Sequence, residues 1–256
     1  MSDIVKYAQQ AATAIITLNR PESMNAFTAG LRKDLFDALQ KADAEDSVRV
    51  VILTGEGRCF SAGADLKDGL NRSVETMLLQ EYRPIQDLIA SIPKPIIAAV
   101  PGSAAGIGLS IALQCDLLIM ADNAFMLSPF TTISLVPDGG LNWLLVQQLG
   151  YRRAFQLSVE SERIAAGRCI ELGLANKAVP ADQLQDAALQ WAQVLEQRAP
   201  LSVAATKRLM RFAAEHDWNS SFELEAKLQG GLVGCEDNRE GVLAFFEKRR
   251  PEFKGK

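Results

Sequence analysis

The chain has 256 residues, 48% of them apolar, and its 27 basic and 31 acidic residues give a formal charge of -4. This length and apolar content suffice for a large buried core, and the charge balance gives no basic footprint for nucleic acid or an anionic membrane. The four cysteines are widely spaced without a C-x-x-C pair, which argues against a zinc site or a disulfide framework and favours reduced thiols in a cytoplasmic protein.

Strand and helix patterns alternate through the first hundred residues. Residues 13–18 and 48–54 are rich in β-branched side chains and predict strands. Between them, apolar residues at a spacing near four predict a helix that begins near Thr28. A longer helical pattern over residues 73–91 must stop at the two prolines that follow, Pro93 and Pro95.

Residues 95–140 hold the most informative stretch. An apolar strand over residues 96–100 is followed by a small-residue turn over 103–108, a helix over 109–115 and a strand over 117–120. The stretch ends on Asp138 before two glycines. A glycine turn that opens a helix presents backbone N–H groups without intrahelical partners, so it suits an oxygen that develops negative charge, although close packing alone is also compatible with it.

Beyond Gly140 the pattern is almost wholly helical. The predicted helices cover residues 141–149, 152–159, 164–172, 182–197, 202–214, 220–230 and 236–248, with one short strand over 176–179. We therefore expect an α/β core over residues 1–198 and a helical layer over residues 199–256.

Catalytic chemistry in this chain must depend on carboxylates and backbone groups. The only histidine, His216, lies where helical periodicity gives way, so Ser-His-Asp catalysis and an imidazole-based metal site are not expected. From the residues alone, Asp65 could cap the next turn and Asp138 could cap the helix that starts near Leu141.

Two segments, residues 60–66 (Phe-Ser-Ala-Gly-Ala-Asp-Leu) and 101–108 (Pro-Gly-Ser-Ala-Ala-Gly-Ile-Gly), resemble the signature stretches of the crotonase family, also called the enoyl-CoA hydratase/isomerase family. Further similar segments are residues 19–26, 115–116, 135–140 and 245–253. The resemblance covers essentially the whole chain. It implies a spiral of ββα units with a C-terminal helical trimerisation layer, assembled as a homotrimer or a dimer of trimers.

The resemblance also implies an acyl-CoA thioester substrate, with no cofactor beyond the CoA of the substrate itself, no metal, and no nucleic acid or membrane partner. In the family, two backbone N–H groups stabilise an enolate; carried onto this sequence, they belong to Ala64 and Ile107. Many members have glycine where Ile107 stands, but any residue except proline supplies the N–H.

The family's catalytic acids distinguish its reactions. Hydratases use two glutamates, and their positions hold Ser110 and Phe130 here, neither of which is a general acid or base near neutral pH. Asp138 matches the single aspartate of isomerases similar to the epoxyphenylacetyl-CoA isomerase. The expected activity is therefore double-bond isomerisation, or rearrangement of an epoxide, with Asp138 carrying the proton. A hydratase-like or hydrolase-like enzyme and a non-catalytic acyl-CoA binding protein are the alternatives.

The resemblance further assigns residues to substrate binding. These expected contacts are Met24, Ala26, Ala62, Gly63, Asp65, Leu66, Gly106, Phe130, Phe253 and Lys254. The last two come from the C-terminal segment, which in the family often reaches the site of a neighbouring subunit; a solvated basic tail is an equally good interpretation of residues 248–256.

Overall fold

The computed structural model describes residues 3–68 and 73–256. Its strands are β1 (Val5–Gln10), β2 (Thr13–Leu18), β3 (Val50–Gly55), β4 (Cys59–Ser61), β5 (Ile96–Val100), β6 (Ser103–Ala105), β7 (Leu117–Ala121), β8 (Phe125–Leu127), β9 (Ile164–Ala165) and β10 (Lys177–Val179). They form a six-stranded sheet, β1-β2-β3-β5-β7-β10, and a four-stranded sheet, β4-β6-β8-β9. Neighbouring strands are parallel except in the β1–β2 and β8–β9 pairs.

Helices cover both the connections and the C-terminal part of the chain. They are α1 (Ala29–Ala44), α2 (Val74–Met77), α3 (Arg83–Ser91), α4 (Ile107–Gln114), α5 (Leu141–Leu149), α6 (Tyr151–Glu160), α7 (Ala166–Leu172), α8 (Leu184–Glu196), α9 (Pro200–Ala213), α10 (Trp218–Leu232) and α11 (Glu236–Glu247). A π-helical turn, Leu78–Tyr82, joins α2 to α3, so the predicted helical stretch over residues 73–91 is confirmed.

The repeating unit is a long strand in the first sheet, a short strand in the second sheet and a helix. β3 and β4 precede α2 and α3, β5 and β6 precede α4, and β7 and β8 precede α5. In each unit the chain passes from the first sheet to the second through its two strands. The helix then returns the chain to the start of the next long strand, because parallel neighbours need a crossover connection. The predicted spiral of ββα units is confirmed, and its effect is to stack the short strands and the loops after them.

The core lies between the six-stranded sheet and the helices that cover it. All five residues of β5 are buried, as is expected of a parallel strand covered on both faces. α1 buries Leu31, Leu35, Leu39 and Ala42, the apolar residues whose spacing predicts this helix.

Two predicted segments have a different structure. Residues 103–105, predicted as part of a turn, form β6, and the helix predicted over residues 164–172 begins as β9 and becomes helical only at Ala166. In both places backbone pairing with β8 prevails over local preference, since Ala104 and Ile164 both pair with Met126.

A partly buried ion-pair cluster ties the C-terminal layer to the core. Lys207 and Arg211 of α9 both pair with Asp116, at 2.7 and 2.8 Å. Lys207 also donates to the carbonyl of Ile89 in α3 and to that of Lys94, which follows this helix. The predicted boundary at residue 198 lies between α8 and α9, and the division into two units stays a prediction.

Candidate active site

Two loops, one after β4 and one after β6, meet at a pair of glycines. Because β4 and β6 are parallel neighbours, the loops leave the sheet side by side. A Cβ added to Gly63 would lie 3.1 Å from the carbonyl oxygen of Ala105 and 3.5 Å from the backbone nitrogen of Ile107. Gly63 and Gly106 also have φ values of +103° and +55°, which favour glycine. Both glycines are therefore needed for the two backbones to touch.

The N–H of Ala64 points away from its own scaffold. Its peptide unit also contains the carbonyl of Gly63, which accepts a 2.8 Å hydrogen bond from the N–H of Phe27. In a trans peptide the N–H and C=O point in opposite directions, so the Ala64 N–H faces the open side of the loop. Among the described residues it has no acceptor.

The N–H of Ile107 is held in the same way by a different element. Ile107 is the first residue of α4, and the carbonyl of Gly106 accepts from Leu109 at 3.0 Å and from Ser110 at 3.4 Å. That carbonyl points along the helix, so the Ile107 N–H points out of its N-terminal end, where the helix dipole adds positive potential. In the described chain it too lacks an acceptor. The two predicted donors thus directly follow Gly63 and Gly106, the glycines at which the two loops contact each other.

The segment that holds Asp138 packs on the side chain of Ile107. A Cβ on the next residue, Gly139, would be 2.7 Å from Cγ1 of Ile107, so this segment packs directly on that side chain. Two side chains fix the segment: the Ser110 hydroxyl donates to the Asp138 carbonyl at 3.0 Å, and the Gln86 amide donates to the Gly139 carbonyl at 3.0 Å.

The carboxyl group of Asp138 is desolvated and does not cap a helix. Its Oδ1 atom is buried and has no hydrogen-bond partner, and burial raises the pKa of this carboxyl from its ordinary 3.8 to about 6. The N-cap of α5 is Gly140, without a side-chain cap, and the Leu141 N–H donates to the Asp138 backbone carbonyl instead. The capping interpretation of Asp138 is therefore wrong.

The two positions that the resemblance aligns with the hydratase glutamates hold no acid. Ser110 is fully buried and its hydroxyl is used by the Asp138 carbonyl. Phe130 is 7% exposed, and its ring tip would lie 3.8 Å from a Cβ on Gly106. This face of the site is apolar and cannot activate water through a carboxylate of its own.

The predicted substrate contacts of the first loop form an open surface beside Ala64. The loop lies against residues 24–27, since the N–H of Ala62 donates to the Met24 carbonyl at 2.9 Å. Met24 is 44% exposed and Leu66 67% exposed, so apolar area is free next to the donor. Ala26 lies in the same segment, where its carbonyl accepts from Arg20. Asp65 instead uses its carboxylate in an ion pair with Arg20.

Phe253 and Lys254 lie elsewhere in the chain. The guanidinium of Arg49 donates to the Phe253 carbonyl, and the Lys254 N–H donates to Asp237 at 2.6 Å. Arg49 precedes β3, whereas the Ala64 loop follows the opposite end of β3 and β4; six residues of strand span about 20 Å. The chain does not bring these residues to its own two loops, and a contact with a neighbouring subunit's substrate stays a prediction.

Sequence reasoning missed Gln86 and the role of Arg20. Gln86 is a buried polar residue among the apolar positions of α3, next to Ile85 and near Ile89. A glutamine on the apolar face of a helix indicates a buried hydrogen bond to a backbone group or a ligand. Arg20 belongs to the similar segment over residues 19–26, but its ion-pair partner, Asp65, is 45 residues away in the sequence, so only the fold shows the pair.

No cluster of three or more His, Cys, Asp or Glu side chains among the described residues is arranged to hold a metal ion. None of their helices combines the length and the hydropathy needed to cross a bilayer.

Comparison with known proteins gives matches over nearly the whole chain. Residues 8–256 match the enoyl-CoA hydratase/isomerase family. A probable enoyl-CoA hydratase of Rhodobacter capsulatus is 39% identical over 98% of both chains, and the 1,2-epoxyphenylacetyl-CoA isomerase of Escherichia coli K12 is 35% identical over 94% of both. The crystal structure of an enoyl-CoA hydratase from Bacillus anthracis superposes with a TM-score of 0.95 at 30% identity, over 99% of this chain and 100% of that one.

Proposed function

The chain belongs to the enoyl-CoA hydratase/isomerase family, the crotonase family, and we propose that it is an acyl-CoA isomerase that converts a 3-enoyl-CoA into a 2-enoyl-CoA. The observation that carries this proposal is the desolvated carboxyl of Asp138, which lies in the segment that packs on the side chain of Ile107, the residue that supplies the second predicted donor. Ser110 and Phe130 supply no second acid.

In the first step, the Asp138 carboxylate removes a proton from the carbon next to the thioester carbonyl. The C–H electron pair becomes the new carbon–carbon double bond of a dienolate, and the carbonyl oxygen gains negative charge. The N–H groups of Ala64 and Ile107 stabilise that charge without reorganising, because the scaffold already holds them in place. Loss of one such donor typically costs a factor of about 10² to 10³ in kcat.

In the second step, the acid form of Asp138 returns the proton two carbons further along the acyl chain. The dienolate electrons form the 2,3 double bond, the carbonyl is restored, and no water is added or lost. A carboxyl with a pKa of about 6 suits both steps, since it is ionised at neutral pH and still a useful acid after it takes the proton.

An epoxide of an aromatic acyl-CoA is a second substrate class for the same donors. The 35% identical relative is named for that reaction, and its identity to this chain extends over 94% of both. The apolar ring of Phe130 near Gly106 is compatible with an aromatic acyl group. In either case CoA would extend over the exposed surface at Met24 and Leu66, as part of the substrate and with no separate cofactor.

Hydration is the second candidate function, because the 39% identical relative is named a probable enoyl-CoA hydratase. In that case Asp138 would orient water for addition to a 2-enoyl-CoA. An acyl-CoA binding protein without turnover is the remaining alternative.

The deciding experiment supplies 2-enoyl-CoA, 3-enoyl-CoA and epoxyphenylacetyl-CoA to the enzyme in ¹⁸O-labelled water, separates the isomeric products by liquid chromatography and measures their ¹⁸O content by mass spectrometry. An isomerase converts the 3-enoyl or epoxide substrate without gain of ¹⁸O, and Asp138→Asn abolishes the conversion because the amide cannot carry the proton. The matched control is Asp186→Asn, at an exposed aspartate of α8. Hydration of the 2-enoyl substrate with ¹⁸O gain, without isomerisation, would favour the second candidate.

We also propose that the protein assembles as a trimer or a dimer of trimers. The C-terminal helices expose large apolar side chains, which isolated soluble monomers rarely group together. They include Trp218, Phe222, Val233, Val242, Phe245 and Phe246. Light scattering coupled to size exclusion measures the mass: three or six copies of the 27.9 kDa chain are expected, and a monomer would contradict the proposal.

A further inference from the structure

An ion pair holds the residue that follows the first amide donor. Both terminal nitrogens of Arg20 lie close to one oxygen of Asp65, Nη1 at 3.2 Å and Nη2 at 3.3 Å from Oδ2. The pair is largely withdrawn from water, with side chains 18% and 19% exposed. The other carboxylate oxygen, Oδ1, accepts the N–H of Lys67 at 3.1 Å. Both oxygens of Asp65 are therefore used, and its orientation is fixed.

Arg20 joins Asp65 to the opposite segment of the scaffold. Its guanidinium also donates to the carbonyl of Ala26, and its own N–H donates to Oδ1 of Asn25 at 2.8 Å. Asn25 is fully buried and donates in turn to the Cys59 carbonyl of β4 at 2.7 Å. The side chain of Arg20 thus bridges the Ala26 carbonyl to the residue immediately after Ala64, while its backbone is held by Asn25.

Backbone pairing places the Ala64 peptide, but only from one side. Phe27 donates to the Gly63 carbonyl at 2.8 Å and accepts from the Asp65 N–H at 3.0 Å. These two bonds hold the peptide on the side of Phe27, while its own N–H, on the other side, has no acceptor among the described residues. A tilt that moves the N–H by 1 Å can cost about a hundredfold in rate.

We propose that the Arg20–Asp65 ion pair is a positioning device for the Ala64 N–H, so that Asp65 serves catalysis through the backbone and not by contact with CoA. This inference rests on the proposed function. It predicts that loss of the pair weakens polarisation of the thioester carbonyl while CoA affinity is unchanged. A guanidinium fork suits this role better than an ammonium, since its plane fixes the carboxylate in two directions.

The test compares Arg20→Met, Asp65→Asn and the double variant with wild type in two assays. Infrared difference spectroscopy of a bound, ¹³C-labelled 2-enoyl-CoA thioester reports the carbonyl stretch, which hydrogen bonds to the oxygen lower. Kinetics on 3-enoyl-CoA report kcat and KM, and calorimetry with free CoA reports Kd. Arg168→Met, which removes an exposed ion pair with Glu171 on α7, is the matched control.

In each single variant we expect the carbonyl stretch of the bound thioester to lose most of the shift that the Ala64 hydrogen bond causes. We also expect kcat to fall about tenfold or more, while the Kd of CoA changes less than twofold. The double variant should be no worse than the worse single variant, because the two residues act as one unit. Arg20→Lys should recover part of kcat. If Arg20→Met does not fold, Asp65→Asn, which keeps an acceptor for Lys67, still tests the pair.

Other outcomes overturn the inference in distinguishable ways. A full carbonyl shift and unchanged kcat in the variants would reject it while leaving the proposed function intact. Weaker CoA binding at unchanged kcat would mean that Arg20 or Asp65 contacts CoA directly. Absence of a carbonyl shift in the wild-type protein would reject the proposed function and the inference together.

Discussion

Replacement of Asp138 by asparagine should make the protein more stable at neutral pH while removing its activity. The folded state partly buries this carboxyl and leaves its Oδ1 atom without a hydrogen-bond partner, and burial raises its pKa from 3.8 to about 6. Asparagine has nearly the same shape and carries no charge. The variant therefore relieves the desolvation cost without opening a cavity.

The size of the effect follows from the pKa. A rise from 3.8 to about 6 corresponds to about 3 kcal/mol at 1.36 kcal/mol per pKa unit, and because the residue is partly exposed we expect about 1 to 2 kcal/mol. For a chain of this size that is a rise in Tm of roughly 2 to 8 °C.

The direction of the pKa shift determines the pH range over which the difference in stability between the two proteins develops. A carboxyl whose folded pKa is raised binds its proton more tightly in the folded state, so ionisation costs stability as pH rises from about 4 to about 6. Below about pH 4 both states are protonated and the variant should match wild type, while above about pH 6 the full difference should be present.

Chemical denaturation of both proteins at pH 4, 5, 6, 7 and 8, at equal protein concentration, measures this difference. Equal concentration matters because assembly contributes to apparent stability. A variant that is equally or less stable at pH 7 to 8, or a difference that grows toward low pH, would refute a desolvated carboxyl at position 138.

Three further predictions follow from the same geometry. The value of kcat/KM for 3-enoyl-CoA should rise with pH through about 6 as Asp138 ionises, and a flat profile between pH 5 and 7 would contradict its role as base. Gly139→Ala should destabilise the fold by about 2 kcal/mol and lower kcat, because a Cβ at this position would lie 2.7 Å from the Ile107 side chain and the residue has a φ of +60°. A second substitution, Ile107→Ala, should restore part of the lost stability. Calorimetric unfolding of the single and the double variant measures both effects. Lys207→Met should loosen the C-terminal layer, because among the described residues Asp116 would keep Arg211 alone as a cationic partner. Faster amide exchange confined to α9–α11 would show this loosening.

Much of the fold could be predicted because its periodicity is local. The apolar spacing of α1 and the unbroken apolar run of β5 are properties of consecutive residues, and both elements form as expected. The short strands β4, β6 and β8 could not be predicted in this way. Three residues carry too little pattern, and these strands exist because the spiral stacks them on one another.

The candidate site, like the fold, could be predicted from local sequence patterns only in part. The glycines at 63 and 106 mark the two loops in the sequence, and their contact explains why each must lack a side chain. The direction of the Ala64 and Ile107 N–H groups depends on which carbonyls their peptide partners meet. Likewise, the bond from Gln86 to the Gly139 carbonyl joins residues 53 positions apart, which no local pattern encodes.

The most direct test of two backbone donors acting on one oxygen is the comparison of Ile107→Pro with Ile107→Ala. Position 107 is the first residue of α4, where proline is well accepted, and Gly106, at φ 55° and ψ -134°, has a conformation that a following proline allows. Both variants lose the branched isoleucine side chain, but only proline removes the N–H.

We predict that Ile107→Pro lowers kcat on 3-enoyl-CoA by about 10² to 10³ relative to Ile107→Ala, with both variants folded by circular dichroism. Equal kcat in the two folded variants would show that the Ile107 amide does not stabilise the enolate, and would contradict the proposed mechanism.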